Sequence, residues 1–327
     1  MRRLLATAVL ACTAIACTVL VFSGAADAAK KQQQQQAFSR PELVLAWIND
    51  YRLNPTPERL PAAFEAMRQH GSFKEIEQAG IYVGFIAGVV GANPDKAEKL
   101  IAEMFPMPPH DQVVIIKAIA YSGLADWKDL LGKFVERMPV RKVIIERYLF
   151  GKLPTLRELP LDSPIAVDAN WGYYFATGSS EPIFRLVRTL AWSRDRDDVE
   201  KLTIGSMVKW TLAQNASKDH DLLAYLKTVL PRQEDNIGKP LAEVIEGAET
   251  FELAAIRKDA LASIEELKIK GPEKNRNFAW WGQAGQTVFA LGCVAAGVMG
   301  QVYMGVPCVV GGALSNVALK YLAPGSE

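Results

Sequence analysis

The residues of this chain that could do chemistry are few and scattered. Its three histidines are His70, His110 and His220, and none is paired with another histidine or with a cysteine at the spacing of a metal site. No Gly-x-Ser-x-Gly elbow, phosphate-binding P-loop or His-Glu-x-x-His motif occurs in the chain. We therefore expect no catalytic residue, no metal and no cofactor, and we predict that the protein is not an enzyme. The alternative is an enzyme whose acidic residues come from different helices and have no local signature.

Two other groups resemble sites but have simpler interpretations. The run Asp195-Arg-Asp-Asp198 is interpreted as a solvated turn, because acidic residues favour the start of the following helix. Gly80, Gly84 and Gly88 recur at four-residue steps, which places them on one face of a helix. That spacing predicts close packing against another helix, and not a phosphate loop.

The densest aromatic cluster lies between positions 171 and 175. Aromatic side chains dominate the contacts between packed helices, so core packing is the favoured interpretation. The alternative is a recognition groove, extended by two arginines in the next helix. For that case, the predicted partner-binding residues are Trp171, Tyr174, Arg185 and Arg188.

This cluster belongs to a helix, a tight turn and a second helix. Gly178 stands where a helix commonly ends in a left-handed residue, a conformation that glycine adopts without a Cβ clash. Ser179 or Ser180 can then cap the next helix, with Glu181 and Pro182 in its first turn. The segment therefore predicts two helices packed back to back.

The same outline recurs along the chain, with a small or capping residue and then an acidic one opening each second helix. The predicted pairs are 75–90 with 96–105, 111–121 with 127–138, 164–177 with 181–192, and 199–214 with 219–230. The acidic residues that open successive units are 31 residues apart from Asp95 to Asp126 and 38 apart from Glu181 to Asp219. Helical repeats have periods of roughly 30 to 45 residues.

In its general form, this periodicity resembles the tetratricopeptide, Sel1 and HEAT class of paired-helix arrays, although no unit fits a strict tetratricopeptide consensus. The resemblance is one of architecture, and it implies an all-α, solenoid-like helical-repeat domain over residues 39–250. Residues 139–162 interrupt the array with an extra helix and a proline-punctuated loop. The last polar helix is predicted over 241–270, with Gly247 as a candidate break, and residues 251–277 are predicted to form a connecting polar helix.

The two ends of the chain differ from the middle. Residues 1–28 have a basic start, an apolar run and a small-residue cleavage pattern, which together predict a secretory signal peptide. Uncleaved anchoring and a lipid-modified cysteine are the alternatives. A Gln-rich tether follows at 29–38, and Ser39-Arg-Pro-Glu42 predicts a capping box at the first helix. We expect export to the periplasm or cell envelope.

Charge excludes one class of partner. Cleavage after residue 28 removes two of the 37 basic residues and one of the 36 acidic ones, which leaves 35 of each. A chain near zero net charge has no general field that attracts nucleic acid. No nucleic-acid partner is expected.

Residues 278–322 form an apolar, glycine-rich segment in which Lys320 is the single charged residue, and 323–327 is a short tail. Three interpretations are open: a helical hairpin inserted in a membrane, one transmembrane span, or two core helices of a soluble domain. Cys293 and Cys308 lie in this segment, where they form either a disulfide or two buried thiols.

Together these features predict a non-enzymatic, exported, membrane-associated scaffold that binds a protein or peptide partner. The membrane contact is expected through residues 278–322. A pore or translocation element built on that segment is the main alternative. The sequence does not decide whether a small molecule also binds.

Overall fold

The computed structural model describes residues 37–270. The predicted signal peptide, residues 29–36 of the tether, and the apolar segment with Cys293 and Cys308 lie outside that range. Within it, all regular structure is helical, which confirms the all-α prediction. The α-helices are α1 Pro41–Asp50, α2 Leu60–Gln69, α3 Gly80–Gly91, α4 Pro94–Glu103, α5 Pro109–Tyr121, α6 Trp127–Gly132, α7 Lys142–Leu149, α8 Pro164–Thr177, α9 Ser180–Arg188, α10 Val199–Ala216, α11 His220–Val229, α12 Asp235–Thr250 and α13 Ala254–Lys270. Short 3₁₀ helices occupy Pro57–Arg59, Ile76–Gln78, Val135–Arg137, Pro139–Arg141, Thr189–Arg194 and Leu230–Arg232.

Each predicted pair corresponds to two consecutive α-helices: α3 with α4, α5 with α6, α8 with α9, and α10 with α11. Two of the second helices are shorter than predicted, since α6 ends at Gly132 and not at 138, and α9 ends at Arg188 and not at 192. The turn between α8 and α9 has the predicted chemistry. Gly178 adopts the left-handed conformation with φ 67°, and the Ser179 hydroxyl accepts the backbone N–H of Glu181. Both interactions are local, so residues a few positions apart are sufficient to specify them.

The fold is built around α3, whose residues from Gly80 to Val90 are all buried. Its most extensive contact is with α8, which it approaches closely along its glycine face. A Cβ atom added at Gly84 would lie 1.9 Å from the carbonyl oxygen of Ala169. A Cβ atom added at Gly172 of α8 would lie 2.1 Å from the carbonyl oxygen of Ile81. Glycine is needed on both helices because their backbones touch.

The spatial order of the helices is not their order in the chain. In a simple sequential array α8 would pack chiefly on α5, the first helix of the preceding pair. Instead, α3 packs against both α5 and α8. The third predicted pair is therefore joined mainly to the first, and the helices enclose one shared core.

Several predicted boundaries were wrong. The capping box at Ser39 does not form: Arg40 is the N-cap of α1, without a side-chain cap, and Pro41 occupies the first turn. A proline suits that position because its missing N–H has no helical acceptor there. The last polar helix is broken at 251–253, between α12 and α13, and not at Gly247. Gly247 lies inside α12, which ends at left-handed Phe251, and a Cβ there would lie 2.9 Å from Cδ1 of Ile256.

An ionic cluster joins three elements near the end of this core. Glu243 of α12 accepts hydrogen bonds from Arg194 and from Lys209 of α10, and Lys209 is 7% exposed. Partial burial acts to raise the pKa of Glu243, but the hydrogen bond and charge of Lys209, with the charge of Arg194, hold that pKa below its ordinary value. The carboxylate therefore stabilises the fold when it is ionised.

Replacing Glu243 with glutamine is expected to lower the free energy of unfolding by about 2 kcal/mol at pH 7, because the buried Lys209 ammonium loses its principal carboxylate. A depressed pKa in the folded state means that this stabilisation is present above the unfolded pKa of about 4.3 and is lost as the pH falls through the folded value. The difference between wild type and Glu243→Gln should therefore shrink as the pH falls below the unfolded pKa, as followed by urea unfolding and circular dichroism.

Glu249→Gln is the matched control for this experiment. Glu249 lies on the same helix and pairs with Lys227, but both side chains are nearly half exposed. Exposed ion pairs contribute at most about 1 kcal/mol, so this variant should unfold close to wild type at every pH. A Glu243→Gln protein that is as stable as wild type at pH 7 would contradict the conclusion that the Glu243 carboxylate stabilises the fold.

Candidate functional site

A cleft opens where the end of α5 faces α8, α9 and the loop before α8, with a volume of about 190 Å³. Its aromatic and apolar wall comes from α5, α6 and α8, and its polar wall comes from the loop and α9. The lining residues are Ala120, Tyr121, Gly123, Leu124, Trp127, Thr155, Leu156, Arg157, Asn170, Tyr173, Glu181, Pro182 and Arg185.

Three aromatic rings, of Tyr121, Trp127 and Tyr173, form one wall of the cleft. Tyr173 donates its hydroxyl hydrogen to the carbonyl oxygen of Ser122 at 3.2 Å, which ties α8 to the turn after α5. Gly123 makes that turn with φ 75°. Burial raises the pKa of Tyr173, so its hydroxyl remains a neutral donor. The wall is therefore held in place by contacts between elements that are distant in sequence.

The polar wall is organised by Arg185, which is half-buried. Its guanidinium donates to the carbonyl oxygens of Leu156 and Leu159 and to Oδ1 of Asn170 at 3.1 Å. These acceptors carry no formal charge. Burial lowers the pKa of Arg185, and the negative charge of Glu181 opposes that shift. A guanidinium with uncharged acceptors keeps a positive potential at the cleft.

A second arginine lies at the surface of the same wall. Arg157 forms an ion pair with Glu181 at 3.0 Å, and both side chains are exposed. Exposed pairs of this kind are weak and exchange readily with other partners. An incoming carboxylate could therefore compete with Glu181 for Arg157.

The four predicted partner-binding residues occupy four different environments. Trp171 is completely buried, stacks on Phe175 with ring centroids 5.7 Å apart, and donates its N–H to Thr211 at 3.1 Å. Arg185 lines the cleft, whereas Arg188 is exposed on α9 and is not among the lining residues. Trp171 is therefore a core residue, which matches the favoured interpretation of the aromatic cluster.

Tyr174 belongs to a structural network on another side of α8. Its hydroxyl donates to Asp219 at 2.7 Å, and Asp219 pairs with Arg52 at 2.6 Å. Asp219 also caps α11 by accepting backbone N–H groups of Asp221 and Leu222. Burial raises the pKa of Tyr174, and the adjacent Asp219 carboxylate raises it further. This network joins the end of α1, α8 and α11, and it leaves Tyr174 4% exposed.

Sequence reasoning missed most of the cleft. The sequence places Trp127 only at the start of a helix, and no local pattern singles out Arg157 or Asn170. The residues that meet here are separated by up to 65 positions, from Ala120 to Arg185, and no local pattern joins them. One signal was available: the interruption of the array at 139–162 marks the loop that supplies the polar wall.

Two further possibilities from the sequence concern metal ligands and the acidic run at 195–198. In residues 37–270, no group of three histidine, cysteine or acidic side chains could hold a metal ion. Asp195 accepts the backbone N–H groups of Asp197 and Asp198, and Asp198 accepts that of Lys201 at the start of α10. This run is a turn and a helix cap, in agreement with the interpretation from the sequence.

Within residues 37–270, no helix is both long enough and apolar enough to cross a membrane. Comparisons of the chain with protein-family models, with curated proteins and with solved structures found no match.

Proposed function

We propose that this protein is a non-enzymatic helical scaffold that binds a short segment of a protein partner in the cleft. The observation that carries the proposal is the combination of an aromatic wall with a half-buried Arg185 whose hydrogen-bond acceptors are uncharged. Aromatic side chains and arginine are the residue types that most often dominate the energy of protein interfaces. Both are presented together on well-packed helices.

The size of the cleft favours a peptide side chain over a complete small molecule. Ligand and cofactor pockets usually enclose about 300–1,000 Å³. A cleft of about 190 Å³ accommodates one or two side chains. A protein partner can insert such an anchor and place the rest of its contact on the surrounding surface.

The chemistry of the two walls specifies the anchor. An apolar or aromatic side chain would pack against Trp127 and Tyr173, and a neighbouring carboxylate would approach Arg157 and Arg185. Guanidinium groups bind carboxylates through paired hydrogen bonds, which gives direction as well as affinity. The proposed ligand is therefore an apolar residue beside an acidic one.

The wider proposal concerns where this scaffold acts. The features of residues 1–28 support export to the periplasm or cell envelope, and the composition of 278–322 supports attachment to a membrane. The helical-repeat interpretation belongs to the same proposal, since its support is the recurring pair and the 31- and 38-residue intervals. Attachment through 278–322 would hold the cleft near the membrane surface.

Binding can be tested with the purified full-length chain and an immobilised library of randomised peptides. Retained peptides should be enriched in an apolar residue next to aspartate or glutamate. For the strongest of these, Trp127→Ala should weaken the affinity at least about tenfold, as expected when an aromatic contact at an interface is lost. Fluorescence anisotropy of a labelled peptide measures this change.

Phe184→Ala is the control, since Phe184 is 42% exposed on α9 and does not line the cleft. The Phe184→Ala protein should bind the peptide with the affinity of wild type. Circular dichroism should show that Phe184→Ala and Trp127→Ala both remain folded. Peptides that bind Trp127→Ala and wild type equally, or a library that yields no acidic enrichment, would refute the assignment of the cleft.

A further inference from the structure

The surface of α7 and the 3₁₀ turn before it exposes three large apolar side chains. Val140, Val143 and Phe150 are 70%, 73% and 74% exposed. They are three of the six exposed large apolar side chains in residues 37–270, and the other three are separate from one another, at Leu53, Phe184 and Phe251. An isolated exposed apolar residue needs no explanation, but three on one short element indicate a contact surface.

These side chains share one side of the element with basic residues. The positions 140, 143, 147 and 150 are spaced by three, four and three residues, which is the spacing of one helix face. Arg147 stands on that face between Val143 and Phe150, and Lys142 is exposed beside it. We name this surface the basic apolar face: Val140, Lys142, Val143, Arg147 and Phe150.

The segment around this face carries a concentrated positive charge. Residues 133–152 contain six basic residues and two acidic ones, a net charge of +4, whereas the whole chain has a formal charge of +1. The rest of the chain is therefore net negative. Apolar side chains set among cations are the pattern of surfaces that lie on anionic membranes, where the apolar groups enter the lipid and the cations remain at the headgroups.

We propose that the basic apolar face is a docking surface for an anionic lipid bilayer. The positive charge of this segment favours an anionic bilayer over two other occupants, a second copy of the chain and another segment of the same chain. A second copy docked through the same face would bring two segments of net charge +4 together, which is unfavourable. The segments of the chain outside 37–270 are a poor match as well, since together they contain seven basic residues and three acidic ones and are therefore net positive.

This inference is separate from peptide binding in the cleft. It also places a membrane contact on the folded domain itself, in addition to the one proposed for 278–322. Two contacts on one chain would restrain the orientation of the domain at the bilayer, and each would raise the effective concentration of the other.

The test is hydrogen exchange of the full-length chain with phosphatidylcholine vesicles, with and without phosphatidylglycerol. Because 278–322 could hold the chain on any vesicle, the readout is restricted to the amides of residues 139–152. We expect their exchange to slow with anionic vesicles and not with neutral ones. Soluble glycerol phosphate should have no effect, since it offers the apolar side chains nothing to enter.

Matched variants sharpen the test. Phe150→Ser should abolish the protection, whereas Phe251→Ser should retain it, because Phe251 is 72% exposed but lies between α12 and α13. Arg147→Glu should raise the anionic vesicle concentration needed for half-maximal protection at least about fivefold, since the loss of one surface cation alone has that effect and the variant also adds an anion.

Four results would overturn the proposal. The amides could show no change with vesicles, equal protection with neutral and anionic vesicles, or protection without vesicles that increases with protein concentration. The last result would identify a second copy as the occupant. Protection that is already complete without vesicles at every concentration would identify another segment of the same chain.

Discussion

Replacing Gly84 with alanine is expected to lower the free energy of unfolding by at least about 3 kcal/mol. Overpacking a core usually costs about 1–3 kcal/mol, and this site is at the severe end because the new Cβ meets backbone. It would lie 1.9 Å from the carbonyl oxygen of Ala169, a separation that no side-chain rotation can relieve. The principal helix contact of the fold would have to open. For a domain of this size the melting temperature should fall by about 10 °C, measured by circular dichroism.

Gly132→Ala is the matched control for Gly84→Ala. Gly132 is the last residue of α6, and a Cβ added there has no heavy atom within 4 Å. Alanine restricts the unfolded chain more than glycine does, so this variant should be as stable as wild type or more stable by up to about 1 kcal/mol. A Gly84→Ala protein that melts within about 2 °C of wild type would mean that α3 and α8 do not touch as described.

The second large effect is expected for Trp171→Ala, which should cost about 3–5 kcal/mol because a completely buried indole is removed. Its stacking on Phe175 and its hydrogen bond to Thr211 are lost together. Trp171→Phe keeps the ring contact but loses the N–H donor, and should fall between alanine and wild type. Urea unfolding followed by circular dichroism ranks the three proteins.

Trp127→Ala separates stability from binding. Trp127 is only partly buried, so its truncation should cost clearly less stability than that of Trp171. It should nevertheless weaken peptide binding more than any change at Trp171 that leaves the protein folded. If Trp171→Ala is as stable as wild type, or if Trp127→Ala is the less stable of the two, the division into core and cleft is wrong.

Because Trp171 lies in the core and Trp127 in the cleft, a loss of binding has a different meaning at each position. Loss of partner binding in a Trp171 variant would report an unfolded core, since that indole is inaccessible in the folded state. Arg185 combines both roles. It lines the cleft but also holds the loop through Leu156 and Leu159, so its removal should disturb the polar wall itself. Trp127 and Arg157 are therefore the informative positions for affinity.

The sequence by itself determined the features that depend on neighbours within one helical turn. The left-handed end of α8 at Gly178 and the cap of α9 at Ser179 were predictable, since both need only a residue type and its next few positions. The glycine spacing at Gly80, Gly84 and Gly88 likewise predicted close packing, because a helix places every fourth residue on one face.

Only the tertiary structure decided which surfaces meet. The glycine face of α3 could have packed on any helix, and its partner is α8, where Ala169 lies 85 positions from Gly84 in the chain. The packing of the helices also buries Trp171, leaves part of Trp127 exposed, and places Arg185 beside the loop of Leu156 and Leu159. Such contacts depend on how whole helices fit together. The energy of that fit is shared by many side chains, and no short stretch of sequence contains it.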